Sequence, residues 1–105
     1  MGATRMANED NIIAVYMMAN RKNGAIYTGV TSNLVGRVWQ HKEGVFRGFT
    51  EKHGCKTLVW YEVHEWIEGA IAREKSLKSY RRQNKISLIE AKNPHWKDLW
   101  FEITG

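Results

Sequence analysis

The chain has 105 residues, one cysteine, five tryptophans and a formal charge of +5, with 43% hydrophobic residues. That length supports one domain with a single core, and the apolar content sets the chain apart from a disordered polar tail. A lone Cys55 excludes an internal disulfide and a cysteine-based zinc site, no apolar run approaches the roughly 20 residues of a membrane helix, and the positive balance favours polyanions, nucleic acid first.

Met1–Asp10 is polar and aperiodic and lacks the apolar region of a secretory signal. With Asn11 it is expected to form a disordered N-terminal segment over residues 1–11, ahead of a single domain over 12–101. Two short apolar runs, Ile12–Ala19 and Ala25–Val30, flank the turn-rich Asn20–Gly24. This is the pattern of a β-hairpin, in which Asn23-Gly24 tolerates positive φ. Tyr16 and Tyr27 then stand on opposite strands. A connection of even length places both on one face of the sheet and an odd one separates them, because side chains alternate; the sequence leaves that open. A helix follows, capped by Thr31 or Ser32, with Leu34, Val35, Val38 and Trp39 at helical spacing and Gly44 able to close it. Arg37 and His41, one turn apart, share a side of this helix.

Val45–Lys56 is punctuated by glycine, carries Arg47 and Lys52, and reads as a basic loop pinned by Phe49. Thr57–Trp66 alternates apolar and polar residues in a β-rich composition and reads as a third strand. From Ile67 to Tyr80 the pattern is helical. Stepping about 100° per residue, Ile67, Ala70, Ile71 and Leu77 form one apolar stripe with Glu74 in its middle. A carboxylate so placed is costly unless something pairs with it. It is either an ion-pair partner of Arg37 or Lys78 at the edge of the core, or a metal ligand facing the tyrosines, and the pattern does not choose. Arg81–Lys92 is a further helical segment stopped by Asn93-Pro94, and His95–Trp100 is a short closing helix or turn. The fold class expected is α/β in the α+β sense: a small three-stranded antiparallel sheet flanked by helices.

No Ser-His-Asp set, Cys-His pair or Gly-rich phosphate loop is visible. A single carboxylate cannot run a two-metal mechanism, but it can hold one Mg²⁺ or Mn²⁺ that keeps most of its waters. The cations Arg47, Lys52, Lys78, Arg81, Arg82 and Lys85 are expected to engage the phosphates of DNA. Phenols titrate near about 10 and imidazoles near about 6.5, so His41 is the easier base at neutral pH.

Val15-Tyr16, Tyr27-Thr28-Gly29, Arg37, His41, Gly48-Phe49-Thr50, Leu58–Glu62, Arg73–Lys78 and Asn93-Pro94, in this order, resemble the GIY-YIG nuclease domain. The likeness is to its short single-domain bacterial members and runs from Ile12 to Trp100. Ala14 stands where the first signature names Gly, and Thr28 where the second names Ile. The resemblance implies an endonuclease that hydrolyses DNA phosphodiester bonds with one divalent cation, in DNA repair or recombination. The expected setting is the cytoplasm, without a membrane or small-molecule cofactor. It implies Glu74 as the metal ligand and places Tyr27 beside the attacking water as primary base, with His41 assisting. Arg37 would stabilise charge on the phosphate and Tyr16 would orient phosphate or water. Asn93 matches a helper asparagine, a role that competes with plain helix termination. The alternative is a non-catalytic nucleic-acid-binding module that retains the basic face. A basic structural protein would explain the charge but not this constellation.

Overall fold

β-branched and aromatic runs pack well on a pleated surface, and the computed structural model, which describes residues 11–45, 48 and 52–105, shows three of them as strands. Strands β1 (Ala14–Ala19), β2 (Ile26–Thr31) and β3 (Thr57–Val63) form one antiparallel sheet in the order β2-β1-β3. Helices α1 (Leu34–Lys42), α2 (Ile67–Lys78), α3 (Arg82–Lys92) and α4 (Trp100–Thr104) flank it. The expected three-stranded α+β architecture is the one observed.

The hairpin register answers the question of the tyrosines. Ala19 pairs with Ile26, so the connection Asn20–Ala25 is even in length. Tyr16 stands opposite Gly29 and Tyr27 opposite Met18, which puts both rings on the same face. Asn23 supplies the left-handed residue of the turn with φ +59°.

Every residue of β1 is fully buried, and alternation divides them between two cores. Val15, Met17 and Ala19 pack with Val59, Ala70, Leu77, Ile89 and Trp96 on the α2–α3 side. Ala14, Tyr16 and Met18 pack with Leu34, Val38, Cys55 and Leu58 on the α1 side. Cys55 is thus a small packing residue, its sulfur 3.7 Å from the Ala25 carbonyl.

Several boundaries differ from expectation. Asn33, not Thr31 or Ser32, caps α1, its Oδ1 accepting from Gly36 N–H at 3.1 Å, while Thr31 Oγ1 accepts from Asn33 N–H at 2.9 Å. Strand β3 ends at Val63 rather than Trp66. Ile71 of the expected apolar stripe is exposed, while Ala70, Glu74 and Leu77 are buried. Within the stretch read as loop, Lys52 and His53 are helical. Arg47 and Phe49, like the expected disordered segment up to Asp10, lie outside the described residues. The closing helix is α4 at Trp100–Thr104, beyond the expected His95–Trp100. Asp98 lies just ahead of it: its Oδ1 accepts from Trp100 N–H at 3.1 Å and from Leu58 N–H at 3.2 Å, tying the turn before the helix to β3.

Candidate active site

Tyr16 is the centre of the polar group on the α1 side of the sheet. Its hydroxyl lies 2.8 Å from His41 Nε2, a buried bond between β1 and the last turn of α1. The Tyr27 ring completes a triangle, its centroid 6.2 Å from Tyr16 and 5.2 Å from His41, with Tyr16 and His41 5.5 Å apart. Arg37 and Tyr27 are close enough to Tyr16 for both to bear on its hydroxyl. Strand alternation supplies the two phenols and the i, i+4 spacing of α1 supplies the other two groups. The structure therefore brings together Tyr16, Tyr27, Arg37 and His41.

Gly29 makes room for this triangle, a steric role that the signature letters do not reveal by themselves. A Cβ there would sit 2.7 Å from the Tyr16 hydroxyl and 2.8 Å from Tyr27 Cε2. Only a residue without a side chain lets the two rings meet over the strand.

Burial sets the protonation states. The Tyr16 phenol is pushed well above its ordinary value, first by loss of solvent and then by Tyr27, with Arg37 opposing. His41 is pushed down to about 4, first by burial and then by the neighbouring Arg37. The advantage expected for His41 as a base from its ordinary value is thereby removed: the ring is neutral at pH 7 but a weak proton acceptor. With both groups neutral, either ring tautomer completes the bond. The phenol donates to a bare Nε2, or Nε2–H donates to the phenol oxygen.

Glu74 occupies the buried stripe of α2, and Lys78 Nζ lies 2.6 Å from its Oε2. The ion-pair partner among the expected candidates is thus Lys78. Helix α2 packs chiefly on the edge strand β2, and Lys78 is close enough to Tyr27 for that phenol to bear on its charge. Lys78 thus stands between Glu74, with which it pairs, and the electrostatic neighbourhood of Tyr27. Among the described residues no cluster of three His, Cys, Asp or Glu side chains exists. Lys78 takes one carboxylate oxygen and leaves Oε1, a single hard donor. That donor set fits one hydrated hard cation such as Mg²⁺ or Mn²⁺ and does not fit a softer metal.

The remaining candidates divide. Arg81 is exposed, Lys52 is exposed and Lys85 is half-buried. The Lys85 ammonium is pushed down by burial, then by Lys78 and Arg82, which places the three cations in one neighbourhood. Arg82 is also occupied, its Nη2 donating to the carbonyls of Asn23 and Gly24. Asn93 is not brought to the tyrosines. Its amide donates to Val59 O at 3.1 Å and to Lys97 O at 2.8 Å, and its Oδ1 accepts from Lys97 N–H at 2.9 Å. Asn93 ends α3 and hooks the following turn onto β3, which is a structural task. Among the described residues no helix is long and apolar enough to cross a membrane.

Comparison with known proteins gives a consistent picture. A family model described as the GIY-YIG catalytic domain matches residues 12–87. The UPF0213 proteins of Staphylococcus aureus strains Mu3, Mu50 and N315 are each 34% identical to this chain over 68 residues, covering 65% of it and 83% of the relative. No solved structure matches. The matched span contains every member of the tyrosine group and Glu74, and it ends before Asn93.

Proposed function

The chain belongs to the GIY-YIG family of nucleases, and from that membership we propose that residues 12–101 act as a single-domain endonuclease hydrolysing DNA phosphodiester bonds with one divalent cation. The observation that carries the reading is the convergence of Tyr16, Tyr27, Arg37 and His41 around one buried hydroxyl. Service in DNA repair or recombination, in the cytoplasm, belongs to the same proposal.

Water attacks phosphorus, the P–O3′ bond breaks, and the products carry a 5′-phosphate and a 3′-hydroxyl. Arg37 meets the charge that develops on the non-bridging oxygens, where a donor already in place costs no reorganisation. Tyr27, on the edge strand, takes the proton of the attacking water as it hands its own phenolic proton to His41, which releases it to solvent, while the leaving 3′ oxygen takes a proton from water. His41 assists as a neutral partner, since its depressed basicity suits passing a proton rather than keeping it. Tyr16 stays protonated and holds His41 in orientation through the bond at Nε2. Glu74 would hold the cation, Mg²⁺ or Mn²⁺, which when bound supplies Lewis-acid stabilisation to the leaving oxygen. Lys78, Arg81 and Lys85, with Lys52 and Arg47, take the DNA backbone. Asn93 acts from a distance by fixing β3.

The test is incubation of pure protein with labelled linear, flap, single-stranded and junction DNA, in Mg²⁺ and in chelator. Metal-dependent cutting of at least one substrate is expected. Tight binding without any cutting would favour the non-catalytic module.

A further inference from the structure

Two stretches of this chain contain no acidic residue: Asn11–Lys42 and Lys75–Ile89. The first includes the hairpin tip and the second the junction of α2 with α3. The fold joins them. Arg82 at the start of α3 reaches across to the tip, and its Nη2 donates to Asn23 O at 2.8 Å and Gly24 O at 2.6 Å. A guanidinium fork placed on two turn carbonyls fixes the turn relative to the helix.

The tip is built to hold one shape. Asn20 Oδ1 accepts from Ala25 N–H at 2.8 Å, and Gly24 N–H donates to Arg21 O at 2.9 Å. A Cβ on Gly24 would meet Asn20 Oδ1 at 2.0 Å, so the turn closes only around glycine. Arg21 and Lys22 are left exposed at its end, and among the described residues neither is ion-paired. Tyr27 lies at the same end of the hairpin, opposite Met18 and next to the last strand pair. Through Arg82 the tip is tied to the helix start whose neighbourhood also holds Lys78 and Lys85, and Tyr27 of β2 stands at the same end of the hairpin. Cations held on a rigid arm lose less freedom on meeting a phosphate than those on a loose loop.

We propose that the β1–β2 tip is a second phosphate-contacting element, with Arg21 and Lys22 on the DNA backbone and Arg82 as the positioning residue that holds them there. This deepens the nuclease reading and rests on it for the identity of the polyanion. It also changes the task of Arg82, which the basic run of the sequence marks as a phosphate ligand in its own right.

The experiment is fluorescence anisotropy with a labelled duplex over a KCl series, in chelator so that no cutting occurs. Each phosphate neutralised contributes about 0.9 to the log–log salt slope. Arg21→Ala with Lys22→Ala is expected to make the slope shallower by about 1.8 and to weaken unrelated sequences equally. Arg82→Ala is then measured in the parent and in the tip variant. Its penalty is expected to shrink in the tip variant, because the latch has nothing left to hold. Equal penalties in both backgrounds would make Arg82 an independent ligand and overturn the positioning role. If Arg82→Ala fails to fold, Arg82→Lys reports the same coupling, since an ammonium has no fork to span two carbonyls. A tip variant with the parental slope overturns the second contact while leaving the nucleic-acid reading intact. A parent that binds no nucleic acid at all overturns both.

Discussion

Val15, Met17 and Ala19 on one face of β1, and Ala14, Tyr16 and Met18 on the other, are all fully buried, yet the two faces do different work. The first set meets apolar side chains of α2, α3 and the C-terminal turn, and burial there only holds the sheet. The second set includes a phenol facing an imidazole, and the same loss of water moves both groups far from their ordinary protonation behaviour. Burial is mechanical where the partners are apolar and chemical where they titrate.

In the proposed mechanism Glu74 is where the apolar face joins the reaction, so its replacement strains the comparison hardest. Glu74→Gln keeps shape and hydrogen bonding. Cleavage in Mg²⁺ is expected to fall below detection, while DNA affinity stays at or above the parent because a negative charge has left a basic surface. Lys78 is half exposed, so stability should change by no more than about 1 kcal/mol. Cutting at the parental rate would remove Glu74 from the chemistry.

Arg37→Ala tests the other face. Losing a donor aimed at developing charge typically costs about 10²–10³ in rate, and single-turnover cleavage at saturating protein is expected to drop by that order with little loss of affinity. If saturation restored the parental rate, Arg37 would be a binding residue only.

A matched pair then separates mechanics from chemistry. Met17→Ala should lose about 2–5 kcal/mol in urea unfolding, with cleavage per folded molecule unchanged. Tyr16→Phe keeps the ring and removes the hydroxyl bonded to His41, so cleavage per folded molecule should fall. Equal activity losses would mean that both faces act only through packing.

The pH dependence of stability sharpens the contrast further. The folded protein holds His41 near pKa 4, below the ordinary 6.5. Between those values the unfolded chain binds more protons, so stability is full above pH 6.5 and declines as the pH falls toward 4, by up to about 3 kcal/mol. In His41→Gln that part of the slope should be missing from denaturant melts taken between pH 7 and 4. The smallest effect belongs to Thr28, which pairs with Met17 and carries a buried hydroxyl with no hydrogen-bond partner among the described residues. Thr28→Val should raise stability by about 1 kcal/mol; a loss would show that the hydroxyl is satisfied in solution.

Local patterns made most of the fold legible: apolar runs flanking a turn marked β1 and β2, alternation marked β3, helical spacing marked α1 to α3, and Asn93-Pro94 marked the end of α3. What stayed hidden depends on contacts between distant positions or on choices between equivalent residues. Thr31, Ser32 and Asn33 are all good caps, and spacing alone cannot choose among them. The facing of Tyr16 and Tyr27 turned on loop parity, which composition does not set. Arg82 reads as one more cation until its contact with the hairpin tip is seen, and the bonds of Asn93 to Val59 and Lys97 join positions that the sequence does not show to be near. Asp98 ahead of Trp100 was a usable signal for α4, since a carboxylate before the first turn complements the helix dipole.

The first of the three described strands lies in the middle of the sheet, and this has a consequence for how the sheet forms. The β1–β2 hairpin closes through a short turn and can assemble as soon as it leaves the ribosome. The other edge of β1 must wait for β3, which follows only after α1 and the basic stretch behind it. Until Thr57–Val63 arrives, Val15 to Ala19 present unpaired backbone beside apolar side chains, the combination that recruits a second copy. The hooks from Asn93 and Asp98 onto β3 come later still. The most aggregation-sensitive moment of this chain is therefore the interval between its second and third strands, and substitutions that slow the docking of β3 should lower soluble yield before they lower the stability of the finished fold.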